Sequence, residues 1–385
     1  MSKEKATKAE NHLRHRGKLR VWIFTPPLDA SGGIGALYSY AAKHFDRKFD
    51  VTFVDTKGKS SKIYKMLPSF FKAILKMLST LIGNRVELVH LNIASHGSAV
   101  RKCILGALSI YLCKNHTVFQ LHAGGFEDYL RSQSRLVRTL IVRVLDDAQG
   151  ILVFGTKSRD MLISFGVRPE KIHIVLMGCP DLYKLEKKEL SELKSSMASR
   201  REALLLFAGD LNLNKGLPFI LNGVKNLKNQ SSIVRLIVAG NGDLNYWKSY
   251  VFKLGIHDRV ALIGHVPNSA INSYLTTVDG LILASKLECM PVSIIECLSA
   301  GKIPITTLAG NLGDVIGNDS AVIMDNQSEK SVTAALSRIL EILMQGRQED
   351  VTKNSKAIWE RDFDVVKTTR NLESKWREMM PSIEK

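Results

Sequence analysis

Short apolar runs alternate with helix-like segments along almost the whole chain, and this alternation limits the possible folds more than any other feature. In the first half, the strand-like runs are residues 19–24, 51–54, 88–93, 117–121, 150–154 and 172–176. The pattern restarts with residues 203–208, 234–239, 260–263, 280–284, 303–306 and 321–324. Strands separated by helices form right-handed crossover units and parallel sheets. Two such series predict an α/β protein with two doubly wound, Rossmann-like domains facing a cleft.

The composition of the segments between these series predicts the domain boundaries. Residues 1–18 are polar, charged and without periodicity, which is typical of a disordered basic arm. Residues 181–202 are rich in Lys, Glu and Ser and are the predicted linker between an N-terminal domain, 19–180, and a C-terminal domain, 203–365. Residues 366–385 are expected to form a C-terminal helix that packs back on the N-terminal domain.

The charge is strongly basic and unevenly distributed. The net charge is +17, and the interval between Asp55 and Glu87 contains seven Lys or Arg and no acid. Such asymmetry favours an anionic partner: nucleic acid, a membrane surface or a phosphorylated substrate. The five cysteines lack metal-binding spacings and fit free thiols of a reducing compartment. With no apolar run of membrane-spanning length and a polar N-terminus, the protein is expected to be cytoplasmic, peripheral on the inner face of the cell membrane.

Two loops of the first series could bind a ligand. Gly32 and Gly33 follow the first strand and precede a helix, where glycine permits close backbone approach and helix amides favour anions. A plain tight turn explains them equally well, and their spacing does not match a dinucleotide motif. His122 directly follows the fourth strand and precedes Ala123 and two glycines, and it is either a ligand-facing or a structural histidine.

Two loops of the second series have a similar character. After Gly209, the pair Lys215-Gly216 stands at a helix start, and a cation beside free amides suits a diphosphate; a solvated loop lysine is the alternative. A further glycine-rich anion loop follows the strand at 303–306 and contains Asn311, Leu312 and Gly313.

Glu288 and Glu296 are eight positions apart and follow the apolar run 280–284. Glu288 is expected in the loop at the carboxyl end of that strand, and Glu296 on the next helix. In an open α/β sheet this edge is where ligands bind. Two acids there can accept hydrogen bonds from sugar hydroxyls, or they can be ordinary acids near a helix start.

Together these features resemble the retaining GT-B glycosyltransferases of group 1, the GT4 family. The resemblance runs from Val21 to about Asp364, and its most specific element is the family's Glu-x7-Glu, matched by Glu288 and Glu296. Supporting matches are Ser285, Gly240-Asn241-Gly242, Gly264-His265-Val266-Pro267 and Lys215-Gly216.

The resemblance implies a role for each candidate. Glu288 and His122 would be catalytic, with Glu288 on the transferred sugar and His122 near the bond that breaks. Glu296 would contact the nucleotide ribose. The remaining donor-binding positions would be Lys215, Gly209, Asn311, Leu312 and Gly313, while Gly32 and Gly33 would border the acceptor and the phosphates.

The family pattern is incomplete at three places. Asp210 stands where the family often has arginine, Met177-Gly178 replaces the usual Asn-Gly, and Asp314 is shorter than the usual acid. Asp362-Phe363-Asp364 has the metal-binding spacing of a different transferase fold, but a charged helical stretch surrounds it. The expected reaction is therefore metal-independent and retaining, with no cofactor and a nucleotide-diphosphate sugar as the donor.

Residues 57–85 form a basic amphipathic segment that includes Pro68. They predict either a core-facing helix with lysines outside or a contact with an anionic membrane, because the apolar stripe is wider than one buried face needs. A lipid-linked glycan acceptor would suit the second interpretation, in bacterial surface polysaccharide or lipopolysaccharide synthesis.

Three other functions are alternatives. A nucleotide-sugar epimerase of the same fold would act on the donor alone. A basic nucleic-acid-binding protein is suggested by charge only; there is no recognisable motif and there are few aromatic side chains near the basic stretches, so no nucleic-acid partner is expected. A nicotinamide oxidoreductase would need the dinucleotide spacing that the first loop lacks.

Overall fold

The chain divides into two compact units in the computed structural model, which describes residues 18–29, 32–58, 63–83, 85–183, 202–227 and 233–380. Of these described residues, unit 1 comprises those up to Phe154, Arg159–Val175 and those from Thr369; unit 2 comprises Gly155–Ser158 and those from Leu176 to Thr368. The expected basic arm, apart from Lys18, and most of the expected linker, residues 184–201, lie outside the described residues.

Unit 1 contains a six-stranded parallel sheet in the order β2-β1-β3-β4-β5-β6. Its strands are β1 (Leu19–Thr25), β2 (Phe49–Asp55), β3 (Leu88–Ile93), β4 (Thr117–Leu121), β5 (Gly150–Val153) and β6 (Ile172–Ile174). The helices between them are α1 (Gly33–Ala41), α2 (Ile63–Leu78), α3 (Gly97–Ala107), α4 (Phe126–Ser132), α5 (Arg135–Asp146) and α6 (Thr156–Ser164). All residues of β3 and β4 are buried, as expected of central strands covered on both faces.

Unit 2 contains a second six-stranded parallel sheet, in the order β12-β11-β10-β7-β8-β9. Its strands are β7 (Glu202–Ala208), β8 (Ile233–Ala239), β9 (Val260–Gly264), β10 (Gly280–Leu283), β11 (Ile303–Thr307) and β12 (Val322–Met324). Its helices are α7 (Leu217–Asn226), α8 (Leu244–Lys253), α9 (Asn268–Thr277), α10 (Val292–Ser299), α11 (Glu329–Met344) and α12 (Gln348–Ile358). The predicted class, α/β with two doubly wound sheets, is confirmed.

Each sheet reverses its direction of winding at one point. In unit 2, β8 and β9 lie on one side of β7, while β10, β11 and β12 lie on the other. In unit 1 the reversal falls between β1 and β3. The loops that follow the two strands at such a point diverge to opposite faces of the sheet and leave a crevice at its carboxyl edge, where ligands bind.

The last helix, α13 (Val365–Glu378), brings its second half into unit 1. Trp376 is fully buried there. Its ring stacks on Phe45 with centroids 5.5 Å apart and meets Phe49 edge-on. Its indole nitrogen donates a 3.1 Å hydrogen bond to Nδ1 of His90. The packing of unit 1 therefore includes side chains from the opposite end of the chain.

Helix α2 buries only part of its apolar surface. Ala73 and Met77 are fully buried, but the exposed fractions are 63% for Tyr64, 57% for Leu67 and 61% for Phe71. Helix α2 therefore packs against the core of unit 1 along one narrow face, and a second apolar face stays exposed. Within the described chain, no helix combines the length and apolarity needed to cross a membrane.

Candidate functional site

Lys215 and Glu288 meet at the carboxyl edge of unit 2, where the winding reverses. Lys215 lies in the loop from β7 to α7, and Glu288 in the loop from β10 to α10. β7 and β10 are hydrogen-bonded neighbours, so these loops are adjacent although 73 residues separate the two side chains. The Lys215 ammonium donates to Oε1 of Glu288 and forms an ion pair with it.

The ion pair is partly buried and held from both sides. The side-chain exposures are 22% for Lys215 and 12% for Glu288. The Ser285 hydroxyl donates to the same Oε1 at 2.9 Å, and the backbone amide of Lys215 donates to Asn212 Oδ1 at 3.0 Å. Cγ and Cδ of the lysine lie 3.7 Å from where a Cβ on Gly209 would be. The charged ends are thus preorganised close to the surface.

Two amide side chains hold these loops together, and no sequence pattern predicts a role for either. Asn214 Nδ2 donates to the Leu287 carbonyl at 3.2 Å, while Asn214 Oδ1 accepts from the Leu287 amide at 3.1 Å. Gln327 Nε2 donates to the carbonyls of Leu213, Asn214 and Ala284 at 2.7–3.0 Å. Asn214 lies in the loop that carries Lys215 and Gly216, and Gln327 lies outside every motif, but no sequence pattern gives either amide a role, so only the contacts identify them.

Gly216 explains how α7 can begin so close to β10. It caps α7 with φ of +78°, and a Cβ there would lie 2.3 Å from the Ala284 carbonyl oxygen. Only glycine combines this left-handed conformation with such close packing. The first amides of α7 therefore lie beside Lys215, as a diphosphate site would require.

The loop after β11 packs against the loop that carries Glu288. A Cβ on Gly310, which has φ of +68°, would lie 2.3 Å from the Glu288 carbonyl oxygen. The Asn311 backbone amide and side-chain Nδ2 both donate to the Cys289 carbonyl, at 3.0 Å. Leu312 and Gly313 open a short 3-10 turn, where leading amides have no partner within the turn.

The side chains of Asn311 and Asp314 serve the architecture of unit 2. Asn311 Oδ1 accepts from the Ser158 amide at 2.9 Å, and Asp314 accepts from the backbone and hydroxyl of Thr156. Both side chains thus hold the first residues of α6, up to Ser158, which belong to unit 2 although the rest of the helix belongs to unit 1. The side chains are thus engaged within unit 2, and only the backbone of the loop remains for the predicted ligand contact.

Glu296 lies on α10 and is 5% exposed. Its neighbours Ile294, Ile295 and Leu298 are fully buried. Burial raises the pKa of the nearby Cys179 thiol, and the Glu296 carboxylate raises it further. The second acid of the pair is therefore an interior group rather than one on a solvated helix face.

The other sequence candidates lie in unit 1. Gly32 and Gly33 are exposed at the start of α1, and Gly32 has φ of +135°, a conformation that favours glycine. His122 directly follows β4, and its Nε2 lies 2.8 Å from Asn92 Oδ1. Within the units, the structure brings Lys215, Gly209 and Glu288 together; His122 has its own buried surroundings.

The His122 imidazole is neutral. It packs against Phe154 with ring centroids 5.1 Å apart. Burial lowers its pKa to about 3, and the nearby His90 and Lys102 contribute to the decrease. At neutral pH the ring therefore carries one proton, and its two nitrogens have different roles.

No cluster of three or more His, Cys, Asp or Glu side chains that could hold a metal ion occurs in the described ranges. Asp362 instead pairs with Arg361, and Asp364 caps α13 by accepting from the amides of Val366 and Lys367. The Asp-Phe-Asp sequence thus has structural partners.

Comparison with known proteins gives a family model and distant relatives. Residues 189–357 match the model of the glycosyl transferases group 1. The chain is 19% identical over 292 residues to an uncharacterized glycosyltransferase of Methanocaldococcus jannaschii, across 72% of this chain and 73% of that one. It is 22% identical over 278 residues to the phosphatidylinositol N-acetylglucosaminyltransferase GPI3 subunit of Saccharomyces cerevisiae; this match covers 72% of the chain and 60% of the relative.

A solved structure shares the fold over nearly the whole chain. The Anabaena Alr3699/HepE protein, crystallised in complex with UDP and glucose, matches with a TM-score of 0.70 at 16% identity. The match covers 94% of this chain and 100% of that chain. At this identity the likeness establishes the common architecture.

Proposed function

We propose that this chain, a group 1 glycosyltransferase with the GT-B fold, moves a sugar from a nucleotide-diphosphate sugar to a lipid-linked glycan acceptor. The observation that carries the proposal is the Lys215–Glu288 pair at the winding reversal of unit 2. A cation for a diphosphate and a carboxylate for a sugar lie side by side there, within the residues that match the family model.

The donor half of the reaction needs the bond between the anomeric carbon and the diphosphate to break. Negative charge then grows on the leaving diphosphate, while positive charge grows on the sugar ring. We assign the first to Lys215 and to the amides that lead α7 and the 312–314 turn, and the second to Glu288. Glu296 would accept from the ribose. Charge stabilisation by these groups lets transfer proceed without a metal.

The acceptor half is assigned to unit 1. His122 would lie near the sugar and the breaking bond, with Gly32 and Gly33 bordering the acceptor and the phosphates. We propose that the acceptor hydroxyl attacks the face from which the diphosphate departs and passes its proton to the departing diphosphate, so that the anomeric configuration is retained.

The uncovered surface of α2 supports a lipid-linked acceptor. Tyr64, Leu67, Pro68, Phe70, Phe71 and Ile74 line an open apolar groove of about 500 Å³. Lys65 and Lys72 are exposed on the same helix. An apolar surface bordered by lysines suits insertion into the headgroup region of an anionic membrane. The name of the yeast relative, which specifies phosphatidylinositol, agrees with a lipid acceptor.

These features lead us to propose a cytoplasmic enzyme, peripheral on the inner face of the membrane. The corresponding role is assembly of bacterial surface polysaccharide or lipopolysaccharide, in which glycans grow on lipids at that face.

Transfer can be tested with purified protein, anionic membranes carrying lipid-linked glycans, and a panel of radiolabelled nucleotide sugars. We expect one donor to label the lipid fraction, and Glu288→Ala to abolish the labelling. If no donor labels lipid or polymer, the proposal fails. A changed sugar formed from the donor alone, without membranes, would indicate the epimerase instead.

Membrane contact can be tested by co-sedimentation with vesicles of phosphatidylglycerol and phosphatidylcholine. We expect binding to fall at least tenfold for the double variant Leu67→Ser and Phe71→Ser. Phe252→Ser, which changes a 70% exposed phenylalanine of unit 2, is the matched control and should bind like the wild type. Equal binding by all three proteins would contradict a role for α2.

A further inference from the structure

A continuous set of buried side chains connects His122 with the C-terminal helix inside unit 1. Trp376 Nε1 donates to Nδ1 of His90 at 3.1 Å. His90 Nε2 lies 2.9 Å from Tyr38 Oη and 3.2 Å from Gln120 Oε1, and Tyr38 Oη lies 2.6 Å from the same Gln120 oxygen. These four side chains are completely buried. Because these side chains are shielded from solvent, their polar atoms must find hydrogen-bond partners within the protein, and each proton must lie in one particular hydrogen bond.

The indole of Trp376 determines which nitrogen of His90 carries the proton. An indole N–H can only donate, so His90 Nδ1 must accept. Burial lowers the pKa of His90 to about 4, so the ring is neutral and its single proton is on Nε2. That N–H needs an acceptor, and it faces two oxygens, Tyr38 Oη at 2.9 Å and Gln120 Oε1 at 3.2 Å.

The hydroxyl proton of Tyr38 is donated to Gln120. Its hydroxyl oxygen is 2.6 Å from the facing atom of the Gln120 amide, which is shorter than an N–H···O hydrogen bond and identifies that atom as the carbonyl oxygen, although Gln120 Nε2 is then buried without a partner among the described residues. Two oxygens this close require a proton between them. A phenol has one proton, so Tyr38 has none left for a second acceptor.

Asn92 faces both Tyr38 and His122. One end of its amide lies 3.0 Å from Tyr38 Oη and 2.8 Å from His122 Nε2; the other end is buried without a partner in the described part of the chain. An oxygen at the first end would face a Tyr38 oxygen with no proton between them. An NH₂ group there would donate to both neighbours. Rotation of the amide by half a turn achieves this, and it leaves an unpaired carbonyl oxygen, which costs less than an unpaired N–H.

We infer that Asn92 donates to His122 Nε2, so that His122 carries its proton on Nδ1 and presents a hydrogen-bond donor, not a base. Resting on the proposed function, this deepens it: His122 would donate to an oxygen of the sugar or its phosphate and would take no proton from the acceptor. Asn92 and the side chains behind it are positioning residues. A motif at the end of β4 thus depends on a tryptophan 254 positions later in the chain.

The tautomer is measurable by NMR without any substrate. In two-bond proton–nitrogen correlation spectra of protein labelled with ¹⁵N-histidine, the pattern of cross-peaks distinguishes Nδ1–H from Nε2–H. His122→Gln identifies the resonances of this ring by their loss. We expect Nδ1–H in the wild type, and an Nε2–H pattern would overturn the inference.

Asn92→Asp tests the positioning role, because a carboxylate only accepts and draws the His122 proton to Nε2. We expect the tautomer to reverse and kcat to fall about 100-fold, the typical effect of one lost donor. Asn115→Asp, an equivalent change in unit 1 outside this set, should alter neither. Loss of transfer with an unchanged tautomer would overturn the role of Asn92.

A second variant covers the case in which Asn92→Asp does not fold. Trp376→Phe keeps a packed ring but removes the indole N–H, so the His90 proton is no longer fixed. We expect a mixture of both His122 tautomers, and a pure Nδ1–H pattern would contradict the connection. Absence of sugar transfer by the wild type would refute the proposed function alone, since the NMR result stands independently.

Discussion

Replacing Glu288 by glutamine should separate its role in transfer from its role in the fold. A single atom, Oε1, accepts from Lys215 and, at 2.9 Å, from Ser285. Glutamine keeps an oxygen in this position and nearly the same volume. What it removes is the negative charge. The substitution therefore tests electrostatics rather than packing.

The expected magnitudes differ enough to be distinguished. At an effective dielectric constant of about 20, unit charges about 4 Å apart attract by about 4 kcal/mol before the cost of desolvation. The side chains are 22% and 12% exposed, so we expect a net loss of about 1–2 kcal/mol in unfolding free energy. Against a total of about 5–15 kcal/mol, the variant stays folded. Loss of one preorganised charge partner in the transition state should instead reduce kcat about 100- to 1000-fold.

The assay is the initial rate of sugar transfer at saturating donor and acceptor, together with urea unfolding of the same samples. Glu341→Gln removes another charge of unit 2, a half-exposed helix glutamate paired with Arg338, and should keep full activity. A kcat for Glu288→Gln within threefold of the wild type would refute the reasoning. The reasoning would also be refuted if the activity of Glu288→Gln fell only in proportion to the fraction of protein that is unfolded.

Three further results are expected. Gly216→Ala should lower the free energy of urea unfolding by about 2–4 kcal/mol, because the new Cβ would meet the Ala284 carbonyl oxygen. Gly346 has a similar φ but open space around it, so Gly346→Ala should lower that free energy by only about 1 kcal/mol. Equal losses in the two variants would refute the close packing at Gly216. The neutral, buried His90 contributes stability above its ordinary pKa of 6.5, and this stability is lost as the pH falls towards its folded pKa of about 4; the difference is worth about 3 kcal/mol. The wild type should therefore lose more unfolding free energy between pH 7.5 and pH 4.5 than His90→Gln does, by about that amount. The control His44→Gln changes an exposed histidine and should lose as much as the wild type. Sugar transfer should proceed at an unchanged rate in excess EDTA; a loss that added Mg²⁺ or Mn²⁺ restores would contradict metal-independent chemistry.

The secondary structure was predictable because its signals are local. Each of the twelve strands expected from apolar runs occurs in the described residues, with ends within two positions of those expected. Continuous apolar runs are required by strands that are buried on both faces, so the pattern is strong. The surface of α2 was less predictable, because the same amphipathic sequence fits a core-facing helix; the exposure of Leu67 and Phe71 depends on which helices pack beside it.

The candidate site was predictable only in part. Glycines and acids after strands identified Lys215, Glu288 and the 311–313 loop, because parallel strands direct their carboxyl ends to one edge. Asn214 and Gln327 were missed, since an amide that bonds to backbone carbonyls has no sequence signature. Glu296 was found, but its burial was not foreseen.

Periodicity and turn residues act over short distances, so the amino-acid sequence alone predicts two parallel α/β sheets and the loops that carry candidate residues. Which of those loops meet depends on the three-dimensional packing of the strands. Lys215 and Glu288 are paired because strand order makes β7 and β10 neighbours, and strand order is a property of the whole sheet. The series of hydrogen bonds that sets the tautomer of His122 likewise begins at Trp376. Packing of the C-terminal helix on unit 1 places the indole of this residue against His90.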